Sequence, residues 1–141
     1  NPVMRKYFRR KVENLHIGNG NIFGTEASVA AYTEGAEWVD ALREYIAGNV
    51  NYVIKYCSEL IPEIIPVRPE ATYMIWLDCR KSGMDGKELR NFFVNQARVG
   101  MNEGSTFGPG GEGFMRMNVA MPKSRVETAM QQIEKAVSTL R

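Results

Sequence analysis

The chain has 141 residues, enough for one domain that buries a real core. Apolar residues make up 44% and charged residues 24%, a globular balance that excludes a disordered tail, a collagenous chain or a coiled coil. A net charge of +2, from 18 basic and 16 acidic residues, is too small to name a polyanionic partner. No run approaches the ~18 consecutive apolar residues that a membrane span needs. In chain order, residues 3–16 read as an amphipathic helix with Val3, Tyr7, Phe8, Val12 and Leu15 at helical spacing. Arg5, Lys6, Arg9, Arg10 and Lys11 form its charged face, and the cluster from Gly18 to Asn21 closes it. A short helix follows, with Thr25 as its expected N-cap and Ala27, Val29, Ala30 and Ala31 behind it.

From Glu37 to about Leu60 the apolar positions Trp38, Leu42, Tyr45, Ile46, Val53, Ile54, Cys57 and Leu60 mark a long amphipathic helix. Gly48 interrupts it and Pro62 ends it. Residues 64–67 form a short extended run, and residues 71–79 are rich in strand formers. Asp85 is a plausible N-cap for a helix from Gly86 to about Arg98, with Leu89, Phe92, Phe93 and Ala97 on its buried stripe. A glycine-dense loop from Gly104 to Gly113 leads into a strand over Phe114 to Ala120. Pro122 opens a last helix with Val126, Met130, Ile133, Val137 and Leu140 facing inward. The order predicts an α/β fold of α+β-like character, with helices packed on a small antiparallel or mixed sheet.

The chemistry-bearing residues are few. Cys57 and Cys79, with His16 as the single histidine, cannot assemble a disulfide framework or a structural zinc site, and both cysteines read as reduced core thiols. The absence of an apolar leader at the N-terminus and this cysteine usage predict a cytoplasmic protein. The chain opens Asn1-Pro2 and its first methionine is Met4, which points to a piece of a longer product. The glycine-rich stretch from Phe107 to Gly113 fails as a phosphate cradle, because it runs into a strand rather than a helix N-terminus. That strand carries Arg116 and Asn118 on one face with Phe114. An arginine inside a strand needs its charge met, either by an internal Asp or Glu or by a carboxylate or phosphate ligand. Asn118 is placed to orient the guanidinium through a side-chain hydrogen bond.

Three collinear segments carry a family resemblance. The run Gly113-Phe114-Met115-Arg116-Met117-Asn118-Val119-Ala120-Met121-Pro122 resembles the C-terminal signature of fold-type I pyridoxal-phosphate enzymes, in the aminotransferase and C–S lyase branch that includes the cystathionine β-lyases. Residues 69–78 resemble that branch's strand into the small domain, and residues 21–40 resemble its approach to the interdomain helix. The resemblance implies that residues 1–36 end a large cofactor-binding domain, 37–61 form the interdomain helix and 62–141 form the C-terminal small domain. It implies that Arg116, with Asn118, binds the substrate's α-carboxylate. The loop from Gly18 to Gly24 matches a region at the family's dimer interface near the cofactor phosphate, where Asn19 or Asn21 would contribute. The family's cofactor lysine lies in a Ser-Lys motif upstream of the matched region, and no lysine here has that context. The chain by itself is therefore expected to be inactive, as the C-terminal part of a cytoplasmic, homodimeric enzyme that uses pyridoxal 5'-phosphate on amino acids. A stand-alone, non-catalytic α/β domain holding an acidic ligand through Arg116 is the alternative. A nucleic-acid module built on residues 5–11 is a third reading.

Overall fold

The structure is a computed structural model, which describes residues 1–18 and 20–140. The chain divides into two compact units, Asn1–Leu42 and Arg43–Arg141, with the boundary inside a long helix.

In the first unit, helix α1 spans Pro2–Asn14 and helix α2 spans Ile22–Glu34. Asn1 caps α1, its Oδ1 accepting from the Val3 and Met4 amides, and Pro2 stands in the first turn where no amide hydrogen is needed. Asn21, rather than Thr25, is the N-cap of α2, because its Oδ1 accepts from the Gly24 amide at 2.6 Å. Thr25 falls within the first turn instead, its hydroxyl donating to the Asn21 carbonyl at 3.3 Å. Neither helix buries a residue. The expected amphipathic helices form, but Val3, Met4, Tyr7, Phe8, Ile22 and Phe23 all remain exposed.

Helix α3 spans Ala36–Leu60, and its buried positions are Asn49, Val50, Val53 and Cys57. In the second unit, strands β1 (Ile65–Val67), β2 (Met74–Asp78), β3 (Asn102–Glu103) and β4 (Phe114–Asn118) form one sheet in the order β1-β2-β4-β3. Every pairing is antiparallel. Helix α4 (Gly86–Asn91) opens on a capping box between Asp85 and Glu88, then widens into a π-helical turn over Phe92–Gln96. The wider turn keeps Leu89, Phe92, Phe93 and Ala97 buried although the regular helix stops earlier than the sequence predicts. Helix α5 covers Lys123–Ser138.

The alternation along β2 and β4 decides which face is covered. Ile75, Leu77, Met115 and Met117 point into a single core shared with Val53 and Cys57 of α3, Leu89 of α4, and Met130 and Ile133 of α5. The helices therefore lie on one face of the sheet. Trp76, Phe114 and Arg116 lie on the other face, which none of the α-helices among the described residues of this unit covers. Leu140, expected to face inward, lies beyond the end of α5 and is exposed.

Candidate functional site

β4 exits the sheet under tight control. Asn49 is 1% exposed, and its Nδ2 donates to the Val119 carbonyl at 2.9 Å and the Met121 carbonyl at 3.0 Å. The Tyr45 hydroxyl accepts from the Lys123 amide at 2.7 Å, satisfying a free donor at the start of α5. These contacts tie α3 to the segment just after β4 and so hold the strand in register. The glycine-rich loop before β4 folds back on itself, with a short 3-10 turn at Gly104–Phe107. A Cβ on Gly104 would collide with the Gly111 carbonyl, and one on Gly111 with the Gly104 carbonyl. Two backbones pressed this closely require glycine on both sides.

Arg116 occupies the open face of β4, opposite Trp76 of β2 on one side and Asn102 of β3 on the other. Its guanidinium carbon lies 4.1 Å from the centre of the Phe107 ring, a cation–π stack supplied by the folded-back loop. Its Nη2 donates weakly to Asn102 Oδ1 at 3.4 Å. Its Nε is buried without a hydrogen-bond partner. Among the described residues no carboxylate forms an ion pair with it. The internal Asp or Glu partner left open by the sequence is not what meets this charge.

Asn118 does not orient the guanidinium as expected. Its Oδ1 accepts from the Ala120 amide at 2.8 Å and shapes the turn out of β4. Asn102 makes the contact instead. The sequence offered little to find it, because β3 is only two residues long and carries no periodicity. Phe107 was equally hidden, as one aromatic in a glycine-rich loop. Asn49 had a signal: it stands four and eight residues before Val53 and Cys57, on the same helical stripe.

The surroundings of Arg116 are aromatic and electrically matched. Trp76 stacks edge-on against Phe107 at 5.5 Å and Phe114 at 6.1 Å. Arg80 sits 4.9 Å from the Phe114 ring centre, but Asp78 takes its guanidinium through contacts of 2.7 and 2.9 Å. Those hydrogen bonds hold the Asp78 carboxyl below its usual range. Asp78 also accepts from the Arg80 amide at 3.1 Å, which makes it a turn acceptor. Val67, Trp76, Phe107, Phe114 and the glycine-rich backbone line a cavity of about 300 Å³.

The predicted cofactor contacts lie in the first unit. Asn21 is exposed and its oxygen is taken by helix capping. Asn19 lies outside the described residues. Every lysine is exposed, and Lys55 and Lys123 stand near Glu59 and Glu127 at 3.9 Å. An aldehyde cofactor requires a desolvated amine, and among the described residues no lysine is buried in such a pocket. The described lysines therefore do not fit covalent attachment of such a cofactor. No group of three or more potential metal ligands occurs among the described residues, and none of their helices is long and apolar enough to cross a membrane.

A helix-backed antiparallel sheet of this kind is the α/β fold of a C-terminal domain in fold-type I pyridoxal-phosphate enzymes. No family model matches the chain. Individual relatives do. It is 33% identical to cystathionine β-lyase PatB of Bacillus subtilis (strain 168), over 96% of this chain and 35% of that protein. It superposes on a pyridoxal-phosphate-bound, provisionally assigned aminotransferase from Clostridium difficile 630 with a TM-score of 0.89 and 33% identity, covering 94% of this chain and 34% of the other. Cystalysin from Treponema denticola, which contains a pyridoxal 5'-phosphate cofactor, gives a TM-score of 0.87 at 30% identity, covering 100% of this chain and 36% of cystalysin. The chain is thus a relative of the pyridoxal-phosphate-dependent C–S lyases and aminotransferases, and it corresponds to a C-terminal part of them. It spans about a third of the length of the curated relatives it matches.

Proposed function

We propose that this chain supplies the substrate-carboxylate site of a full-length pyridoxal-phosphate-dependent C–S lyase or aminotransferase. The observation that carries the reading is Arg116: a half-buried guanidinium on a rigid strand, stacked on Phe107, with no carboxylate of its own. A planar cation held this way accepts a carboxylate through paired, charge-assisted hydrogen bonds. The carboxylate then fixes where the rest of the amino acid lies, which is catalysis by positioning. The cofactor supplies the electron sink when bound, and its lysine comes from outside this chain. The chain alone is inactive on this reading. Asn118 borders the carboxylate site on this reading, and Asn19 or Asn21 would contribute to the cofactor-phosphate site of the neighbouring subunit.

The full-length protein acts as a cytoplasmic homodimer on the same reading. Supporting this, α1 and α2 form a unit without a buried residue, so their apolar side chains call for a covering surface. The test is Arg116→Ala in the full-length enzyme. Two charge-assisted hydrogen bonds of ~1.5–3 kcal/mol each predict a loss of at least about a hundredfold in kcat/KM for amino-acid substrates. Unchanged kcat/KM and KM would remove the carboxylate role.

A further inference from the structure

We infer that a second cavity, between α4, α5 and the end of β2, is a binding site for an uncharged, single-ring aromatic compound. Its volume is about 210 Å³, and every lining residue belongs to the second unit. It shares no residue with the cavity beside Arg116. Cys79, Leu89, Phe92, Phe93 and Val137 form its wall and are all buried. Glu63, Lys81 and Leu140 stand at its rim. An apolar cavity of ~150 Å³ already admits a benzene ring, so this one has room for a ring with a small substituent.

The chemistry of the wall selects the occupant. Phe92 and Phe93 open the π-helical turn and meet edge to face, their ring centres 5.2 Å apart. Turns of this kind are frequent at functional sites. Met84 and Cys79 add sulfur atoms, which pack favourably against the edge of an aromatic ring. The Cys79 thiol stays neutral at physiological pH, because burial pushes it up to about 12. The Ser82 hydroxyl is already engaged, donating to the Cys79 carbonyl at 2.7 Å. Among the described residues, the lining has no buried side-chain polar atom without a partner, so the wall offers little to hold water. The rim carries one acid and one base, Glu63 and Lys81, and so gives an ionised ligand no net attraction. A carboxylate would lose its hydration against the apolar wall.

The experiment titrates the full-length holoenzyme with fluorobenzene and with para-fluorobenzoate, followed by fluorine NMR. Fluorobenzene should saturate, and para-fluorobenzoate should bind at least about tenfold more weakly. Leu140→Trp and Met84→Trp each add bulk at the cavity and should weaken fluorobenzene at least about tenfold. Leu140 is exposed beyond the end of α5, so its substitution leaves the core packing intact. Phe107→Ala, in the cavity beside Arg116, should leave fluorobenzene affinity within about twofold. Absence of saturable binding, or equal affinity for the two probes, would overturn the site. So would an affinity unchanged in both tryptophan variants, or one lost in Phe107→Ala, which would put the probe beside Arg116.

Discussion

Asn49 shows how one side chain transmits the fold to the candidate site. It is the single fully enclosed polar side chain among the described residues, and both amide hydrogens are used on backbone carbonyls just after β4. Asn49→Ala leaves those carbonyls without their donor and opens a small void. The expected cost is about 1–3 kcal/mol, seen as a lower urea midpoint at unchanged slope. Arg116 illustrates the opposite use of polarity. Its Nε is enclosed without a hydrogen-bond partner, an uncommon state for a charged group. The residue itself was legible in the sequence, because alternation along β4 puts it on one face with Phe114. Its neighbours were not. Asn102 lies 14 residues earlier, and only strand pairing brings it alongside.

At the scale of elements, helical period carried most of the information. α3, α4 and α5 emerged near their predicted positions because a 3.6-residue apolar repeat is a local property. Gly48 marks where local preference and packing part company. It lies exposed in α3, and a Cβ added there meets nothing within 4 Å. Gly48→Ala should therefore stabilise the protein by about 0.5–1 kcal/mol, measured as a raised urea midpoint. β3 escaped sequence reading, since two residues hold no pattern and its pairing to β4 is tertiary. The cap of α2 was misplaced for a related reason. Asn21 and Thr25 are both competent caps, and the backbone chose Asn21, which is extended and reaches the Gly24 amide.

Of the two units, the second holds the buried core, and helices α1 and α2 of the first bury no residue. Cys57 and Cys79 are enclosed in that core as free thiols, and burial pushes both up to about 12. Neither should react with a thiol reagent in the native protein, whereas both should react in denaturant. Because their folded pKa values lie above the unfolded value, the stability linked to the neutral thiols is fully present below about pH 8.5. It is lost as pH rises toward 12, so the urea midpoint should fall across that range. A midpoint flat through that window would contradict the burial of the thiols.

The sequence by itself determined the order of the helices and of the strands other than β3, the family resemblance and the strand that carries Arg116, because propensity, period and motif are all written locally along the chain. Tertiary structure alone decided that the sheet is wholly antiparallel, that Asn102 and Phe107 rather than Asn118 meet the guanidinium, and that an aromatic cavity lies beside it. It also decided that α1 and α2 bury nothing within their own unit. The physical reason is common to all four. Pairing and burial depend on surfaces brought together from distant positions, and no local pattern specifies which surfaces meet.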